Sequence, residues 1–279
     1  MLAQLRRKNV KFRRVAAVSL AALLDAFPEC CVYDMVAPTL LDFAALDGPR
    51  PDGKEDPIMQ ARAVACLAAA WPRVPPSAAA PSAAAGGDKQ EGSSQTKIAA
   101  ITTATTATGA AAAAAMETEV AFFARREAVR NVQRAHAEGL TRALSGAVQR
   151  KVWSVRVPIY HALAAVVGRS FTVPSVGGGG GGGGSDGQGA ASSPPVLTGS
   201  LLSDVVHAVE LGAEDAKYSQ VRAAAVSVVV AMTARKELRL ALTPHKEGLV
   251  NAARTAAEDP EPRVAVEGSK ATQNLSWWP

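Results

Sequence analysis

The strongest constraint on this chain is a segment that it writes five times. An arginine leads into an apolar, Ala/Val-rich run at residues 9–27 (NVKFRRVAAVSLAALLDAF), 56–71 (DPIMQARAVACLAAAW), 151–167 (KVWSVRVPIYHALAAVV), 217–232 (KYSQVRAAAVSVVVAM) and 259–275 (DPEPRVAVEGSKATQNL). Aligned on Arg13, Arg62, Arg156, Arg222 and Arg263, the copies are 49, 94, 66 and 41 residues apart. Two low-complexity tracts account for the unevenness. Leaving out residues 72–116 and 174–198 reduces the gaps to 49, 49, 41 and 41.

A period of roughly 40 to 47 residues belongs to HEAT and armadillo repeats, whose helical units stack into a solenoid because none can bury its apolar face alone. Composition agrees: hydrophobic residues make up 48% of the chain but aromatics only 5%, and alanine supplies much of the apolar count. That favours close-packed helices over a β-sandwich. The expected fold is an all-α, HEAT/armadillo-like solenoid of about five helical-hairpin repeats. Repeats are expected at 1–71, 117–170 and 199–279, with insertions at 72–116 and 171–198.

Each copy reads as an inner helix. In 217–232, Val221, Ala225, Val228, Val229 and Met232 form one stripe, and Val226 and Val230 carry apolarity around the cylinder. A helix apolar nearly all round must be covered on more than one side. The leading arginine is expected to pair with an acidic or carbonyl group of the adjacent repeat, and Ser154 to cap its helix so that Pro158 falls in the first turn, where a missing N–H is tolerated. Outer helices are expected at 34–46 after a turn at 27–29, at 117–148, at 199–211 with Gly212 as C-cap, and at 245–257. Both low-complexity tracts are too poor in large apolar side chains to offset chain entropy, so they read as disordered insertions. The eight consecutive glycines satisfy a phosphate-loop pattern only trivially, having neither a strand before them nor a helix start after them.

The residues assemble no catalytic constellation. Of His136, His161, His207 and His245, His207 sits with Asp204 and Glu210 at spacings of three, loosely on one helix face, but no second His or Cys joins them at zinc-ligand spacing. His161 interrupts an apolar inner helix and reads as a packed or partly exposed residue. Cys30 and Cys31 are adjacent and Cys66 stands apart, which makes no disulfide framework and points to a reducing compartment. A nucleophilic role for Cys30 or Cys31 needs a base that the sequence does not place beside them. No nucleophile-elbow, kinase or P-loop signature occurs. We therefore assign no catalytic, cofactor-binding or metal residue.

The net charge of +5 is concentrated in Arg6, Arg7, Lys8, Lys11, Arg13 and Arg14. A solvated helix face explains such a cluster better than nucleic-acid binding does. The longest apolar run, Ala223–Ala234, is too short to span a bilayer, and the basic start lacks the apolar stretch of a secretory signal. A soluble, intracellular protein is expected. Trp277 and Trp278 read as a cap on the last repeat in preference to a partner anchor.

Residues 8–41 (KNVKFRRVAAVSLAALLDAFPECCVYDMVAPTLL) resemble a repeat in the C-terminal half of the large HEAT-repeat proteasome adaptor and scaffold proteins. The stretches beginning at Leu144 (LSGAVQRKVWSVRVPIYHALAAVV) and Ser203 (SDVVHAVELGAEDAKYSQVRAAAVSVVVAM) are similar to further segments of that family, although Ser154-Val155-Arg156 replaces a Gly-Lys-Glu-like triplet. The resemblance implies a non-enzymatic adaptor that binds the 26S proteasome, bridging core and regulatory particles, in cytoplasm and nucleus. A nuclear-transport-receptor-like or other generic HEAT adaptor is the alternative.

Overall fold

A computed structural model of the chain describes residues 1–26, 33–46, 56–73, 97–150, 152–170, 196–197, 199–276 and 278, for residues 97–120, 123 and 237 in their backbone alone. The described residues are helical throughout, with no strand. The helices are α1 (Leu2–Leu5), α2 (Val10–Ala26), α3 (Tyr33–Ala44), α4 (Pro57–Ala70), α5 (Lys97–Ala147), α6 (Trp153–Arg169), α7 (Gly199–Ala213), α8 (Ser219–Thr233), α9 (Arg239–Leu242), α10 (Lys246–Ala257) and α11 (Pro262–Ser276). They form two compact units, Met1–Arg73 with Arg130–Pro279, and Val74–Val129. From Lys97 the second unit is the leading part of α5.

In the larger unit the five arginine-led segments become α2, α4, α6, α8 and α11, and each packs on the next despite the sequence between them. The outer helices α3, α7 and α10 back onto α4, α8 and α11 to make helical hairpins. This is the all-α stacked-repeat fold expected from the period. Apolar side chains of every inner helix merge into one core, from Leu20 and Leu24 through Leu67, Leu163 and Val229 to Val264 and Leu275.

The buried pattern fixes the register. Met59, Ala63, Val64, Cys66 and Leu67 of α4 match Val155, Ile159, Tyr160, Ala162 and Leu163 of α6, which match Val221, Ala225, Val226, Val228 and Val229 of α8. Arg156 and Arg222 are then equivalent, as aligned on sequence. The equivalent residues in the other inner helices are Arg14, Gln60 and Ala265, not Arg13, Arg62 and Arg263.

The equivalent arginines do pair forward across repeats. Arg14 meets Asp56 at 2.8 Å, Arg156 meets Asp215 at 2.7 Å, and Arg222 meets Asp259 at 2.7 Å. Each aspartate stands at the entrance to the next inner helix, where Asp56 also caps α4 through the Met59 N–H. Arg222 further donates to the Asp215 carbonyl, which joins the last three inner helices in one chain of contacts. Burial opposes ionisation of Asp215, but the Tyr218 N–H and the Arg156 guanidinium outweigh it and hold its pKa below the ordinary value. The Arg222 hydrogen bond lowers Asp259 in the same way.

A second arginine row runs in the opposite direction. Arg73, Arg169 and Arg235 occupy equivalent positions past the inner-helix core. Arg73 pairs with Asp25 near the end of α2, Arg169 donates to the Ala68 carbonyl of α4 at 2.8 Å, and Arg235 donates to the Gly168 carbonyl of α6 at 2.9 Å. A cation at the C-terminal end of a helix satisfies orphan carbonyls and opposes the helix dipole.

The forward row is broken between α4 and α6, where Gln60 replaces arginine, and other contacts hold the joint. Gln133 of α5 donates to both the Pro72 and Arg169 carbonyls at 2.9 Å, and the Trp71 indole donates to Ser170 Oγ at 3.2 Å. Tyr33 packs edge-on against Trp71 with ring centroids 5.3 Å apart.

Several local expectations need correction. Val152, not Ser154, is the N-cap of α6, so Pro158 lies inside the helix at its sixth position. Gly212 lies within α7 instead of capping it; a Cβ there would come within 2.7 Å of Ala225 Cβ, so the glycine is there for close packing against α8. Residues 97–116, expected to have no capacity to fold, are helical in α5, because alanine has the highest helix propensity and needs no core to express it. The expected turn at 27–29 and the glycine tract lie outside the described residues.

Candidate protein-binding surface

The face of the inner helices that outer helices leave open carries a cleft of about 620 Å³, formed by α6, α8 and the start of α11. Helical spacing explains its lining. Val157, Ala223 and Val266 are equivalent positions in three successive inner helices, so the repeat lays an apolar row along the floor. One turn further on, the same register brings His161 and Ser227 to the surface. Glu261, Arg263 and Glu267 supply charge from the α11 side, and Ser219 and Gln220 supply hydrogen-bonding groups from the first turn of α8.

His161 is open to the cleft, in keeping with the partly exposed residue expected. Partial desolvation of its charged form by the cleft walls lowers its pKa below the ordinary imidazole value, with the Glu267 carboxylate opposing that effect. No hydrogen bond joins the imidazole to either serine. The Ser227 hydroxyl donates to the Ala224 carbonyl at 2.7 Å, and Glu267 pairs with Lys270 at 2.7 Å. The arrangement offers shape, an apolar floor and mixed polar groups, which are the elements of recognition.

Other residues considered from the sequence are not brought together. His207 and Asp204 are exposed on α7. His136 contacts Asp34 at 2.7 Å and leans on the Tyr33 ring, bridging α5 and α3. His245 sits in the turn before α10. Among the described residues, no three His, Cys, Asp or Glu side chains stand close enough to hold a metal ion. Cys66 is buried, donates to the Ala17 carbonyl at 3.1 Å, and has its thiol pKa pushed up to about 12 by burial. Cys30, Cys31 and Trp277 lie outside the described residues. Trp278 packs against the core, as the capping reading expects. No described helix is long and apolar enough to cross a membrane.

Sequence reasoning did not find the cleft, because its walls come from segments about a hundred residues apart whose register was off by two positions at α11. The back-reaching arginines were also missed, although Arg169 and Arg235 each follow their forward-pairing arginine at the same spacing.

Comparison with known proteins adds little. No family model matches the sequence, and no curated protein matches it. Among solved structures, an engineered protein aligns with 14% identity and a TM-score of 0.42 over 99% of this chain and 96% of its own. A second engineered protein aligns with 13% identity and a TM-score of 0.39 over 98% of this chain and 94% of its own. A designed armadillo repeat protein aligns with 13% identity and a TM-score of 0.38, covering 99% and 98%. The fold assignment rests on the helix order and contacts of this chain itself.

Proposed function

We propose that the chain is a non-enzymatic repeat scaffold that holds protein partners along the open face of its inner helices. The observation that carries this reading is the cleft between α6, α8 and α11. Its apolar floor repeats with the helical unit, and its polar groups are committed to packing or left free, without a linked nucleophile and base. Stacked repeats use such extended faces for binding.

Ala223→Arg tests the reading, because the side chain lies on the cleft floor and is only partly buried. The variant keeps the helical circular-dichroism spectrum and loses protein partners that the wild-type chain cross-links in its own cells. An unchanged partner set would overturn it. The 26S proteasome is the specific partner implied by the resemblance of residues 8–41, 144–167 and 203–232, and it places the scaffold in cytoplasm and nucleus. Affinity capture under conditions that keep the particle intact should recover core and regulatory subunits together. Their absence would remove the proteasome and leave the scaffold.

A further inference from the structure

The inner-helix face changes character along its length, and its α2–α4 end has a chemistry that the cleft lacks. The apolar row of the cleft floor continues there as Ala61 and Val15, and the adjacent row brings Ile58 and Phe12 to the surface. Val15 is 64% exposed, Phe12 55% and Ile58 44%. Large apolar side chains clustered in solvent mark a contact surface.

Around them stand cations without counter-charges. Arg6, Lys8, Lys11 and Arg62 form no ion pair among the described residues, and Arg7 lies over the Phe12 ring at 5.6 Å. Among the described residues, Asp56 is engaged by Arg14 and Asp25 by Arg73. The repeat shows why this end is unusual. α4, α8 and α11 are each entered past an aspartate that receives the preceding inner helix's arginine, whereas α2 is entered past Arg6-Arg7-Lys8-Asn9. A carboxylate-bearing segment would therefore meet positive charge here that is unpaired among the described residues.

We infer that this end of the inner-helix face docks an acidic segment of a partner protein, with apolar side chains of that segment seated over Val15, Ile58 and Phe12 and its carboxylates facing Lys8, Lys11 and Arg62. The inference rests on the scaffold reading and names the partner's chemistry. A single-stranded nucleic-acid surface would offer several aromatic platforms, whereas Phe12 is the one ring among the exposed apolar side chains of this patch. Val10 and Val18 of α2 are exposed as well, at 38% and 51%, so a lipid surface is the alternative that the test below separates.

The test places a photo-cross-linking phenylalanine analogue at Phe12 of the full chain, with a second chain carrying it at Val266 in the cleft, both expressed in the protein's own cells. Cross-linked peptides from the Phe12 probe should be protein segments in which Asp or Glu flank apolar residues. The double variant Lys8→Glu, Lys11→Glu, at two exposed positions, should lower their yield about tenfold while keeping the wild-type melting curve, and Lys8→Arg, Lys11→Arg should retain the yield. The inference is overturned by any of four outcomes at Phe12: no cross-link, adducts to a second copy of this chain, adducts to RNA or lipid, or a yield indifferent to charge. Protein capture at Val266 without capture at Phe12 would sink this inference alone, and failure at both probes would sink the scaffold reading with it.

Discussion

Gly268 is where the packing of this fold and intrinsic helix propensity give opposite signs. It lies in the middle of α11, where replacing glycine by alanine ordinarily stabilises a helix by about 0.5–1 kcal/mol through lost backbone freedom. Here a Cβ would fall within 3.0 Å of the α10 backbone at Ala256 and Ala257, 2.8 Å from Ala257 Cα among them. Backbone cannot rotate aside as a side chain can, so α10 and α11 must separate, and overpacking of this kind costs about 3 kcal/mol. The net prediction for Gly268→Ala is a loss of about 2 kcal/mol after the propensity gain is subtracted. For a unit of this size that lowers Tm by about 4–8 °C. Gly139→Ala on α5 is the matched control, since nothing lies within 4 Å of its Cβ position, and it should raise Tm by about 2–3 °C. Thermal melts followed by circular dichroism read both. If Gly268→Ala stabilised the protein as much as Gly139→Ala, α10 and α11 would not cross as closely as described, and the reasoning would fail.

Three further outcomes follow from named contacts. Asp259→Asn weakens the Arg222 contact in a site where both side chains are largely buried, and should cost about 2 kcal/mol in urea denaturation. The pKa values of Asp56, Asp215 and Asp259 are lowered in the fold, so their stabilisation is present above the unfolded carboxylate pKa of about 3.9 and is lost as pH falls through the lower folded values; melts between pH 5 and pH 2 should show a flatter fall for an Asp215→Asn, Asp259→Asn variant than for wild type. Tyr160→Phe removes the buried hydroxyl's 2.8 Å bond to the Ala208 carbonyl and should destabilise by about 1 kcal/mol, whereas alkylation mapped to Cys66 should stay negligible at neutral pH until denaturant unfolds α4.

Much of the architecture was legible because stacking imposes a period on the sequence. Val221, Val228, Val229 and Met232 advertise an inner helix by themselves, and the pairing of its arginine with the adjacent repeat follows from where that arginine enters the helix. Register was harder to read. Arg13 beside Arg14 is ambiguous by one residue, and Arg62 invites alignment although the structurally equivalent residue is Gln60, 3% exposed. Only the pattern of burial separates these choices. Gly212 misled because a glycine near a helix end is the usual stop signal, while here a neighbouring tyrosine and alanine occupy the space a side chain would need. The cleft was illegible for a deeper reason: Val157, Ala223 and Val266 are unremarkable singly and become a surface only when three inner helices lie side by side.

The account stands on direct stacking of α4 against α6 across the long intervening sequence. A nuclear Overhauser measurement on the Trp71 indole N–H tests this most directly, because Trp71 and Ser170 share a 3.2 Å hydrogen bond and Tyr33 packs edge-on against the same ring. The account predicts cross-peaks from that proton to the β-protons of Ser170 and from the indole ring to the Tyr33 ring. An indole whose cross-peaks reach only its sequence neighbours in α4 would contradict the continuous inner stack.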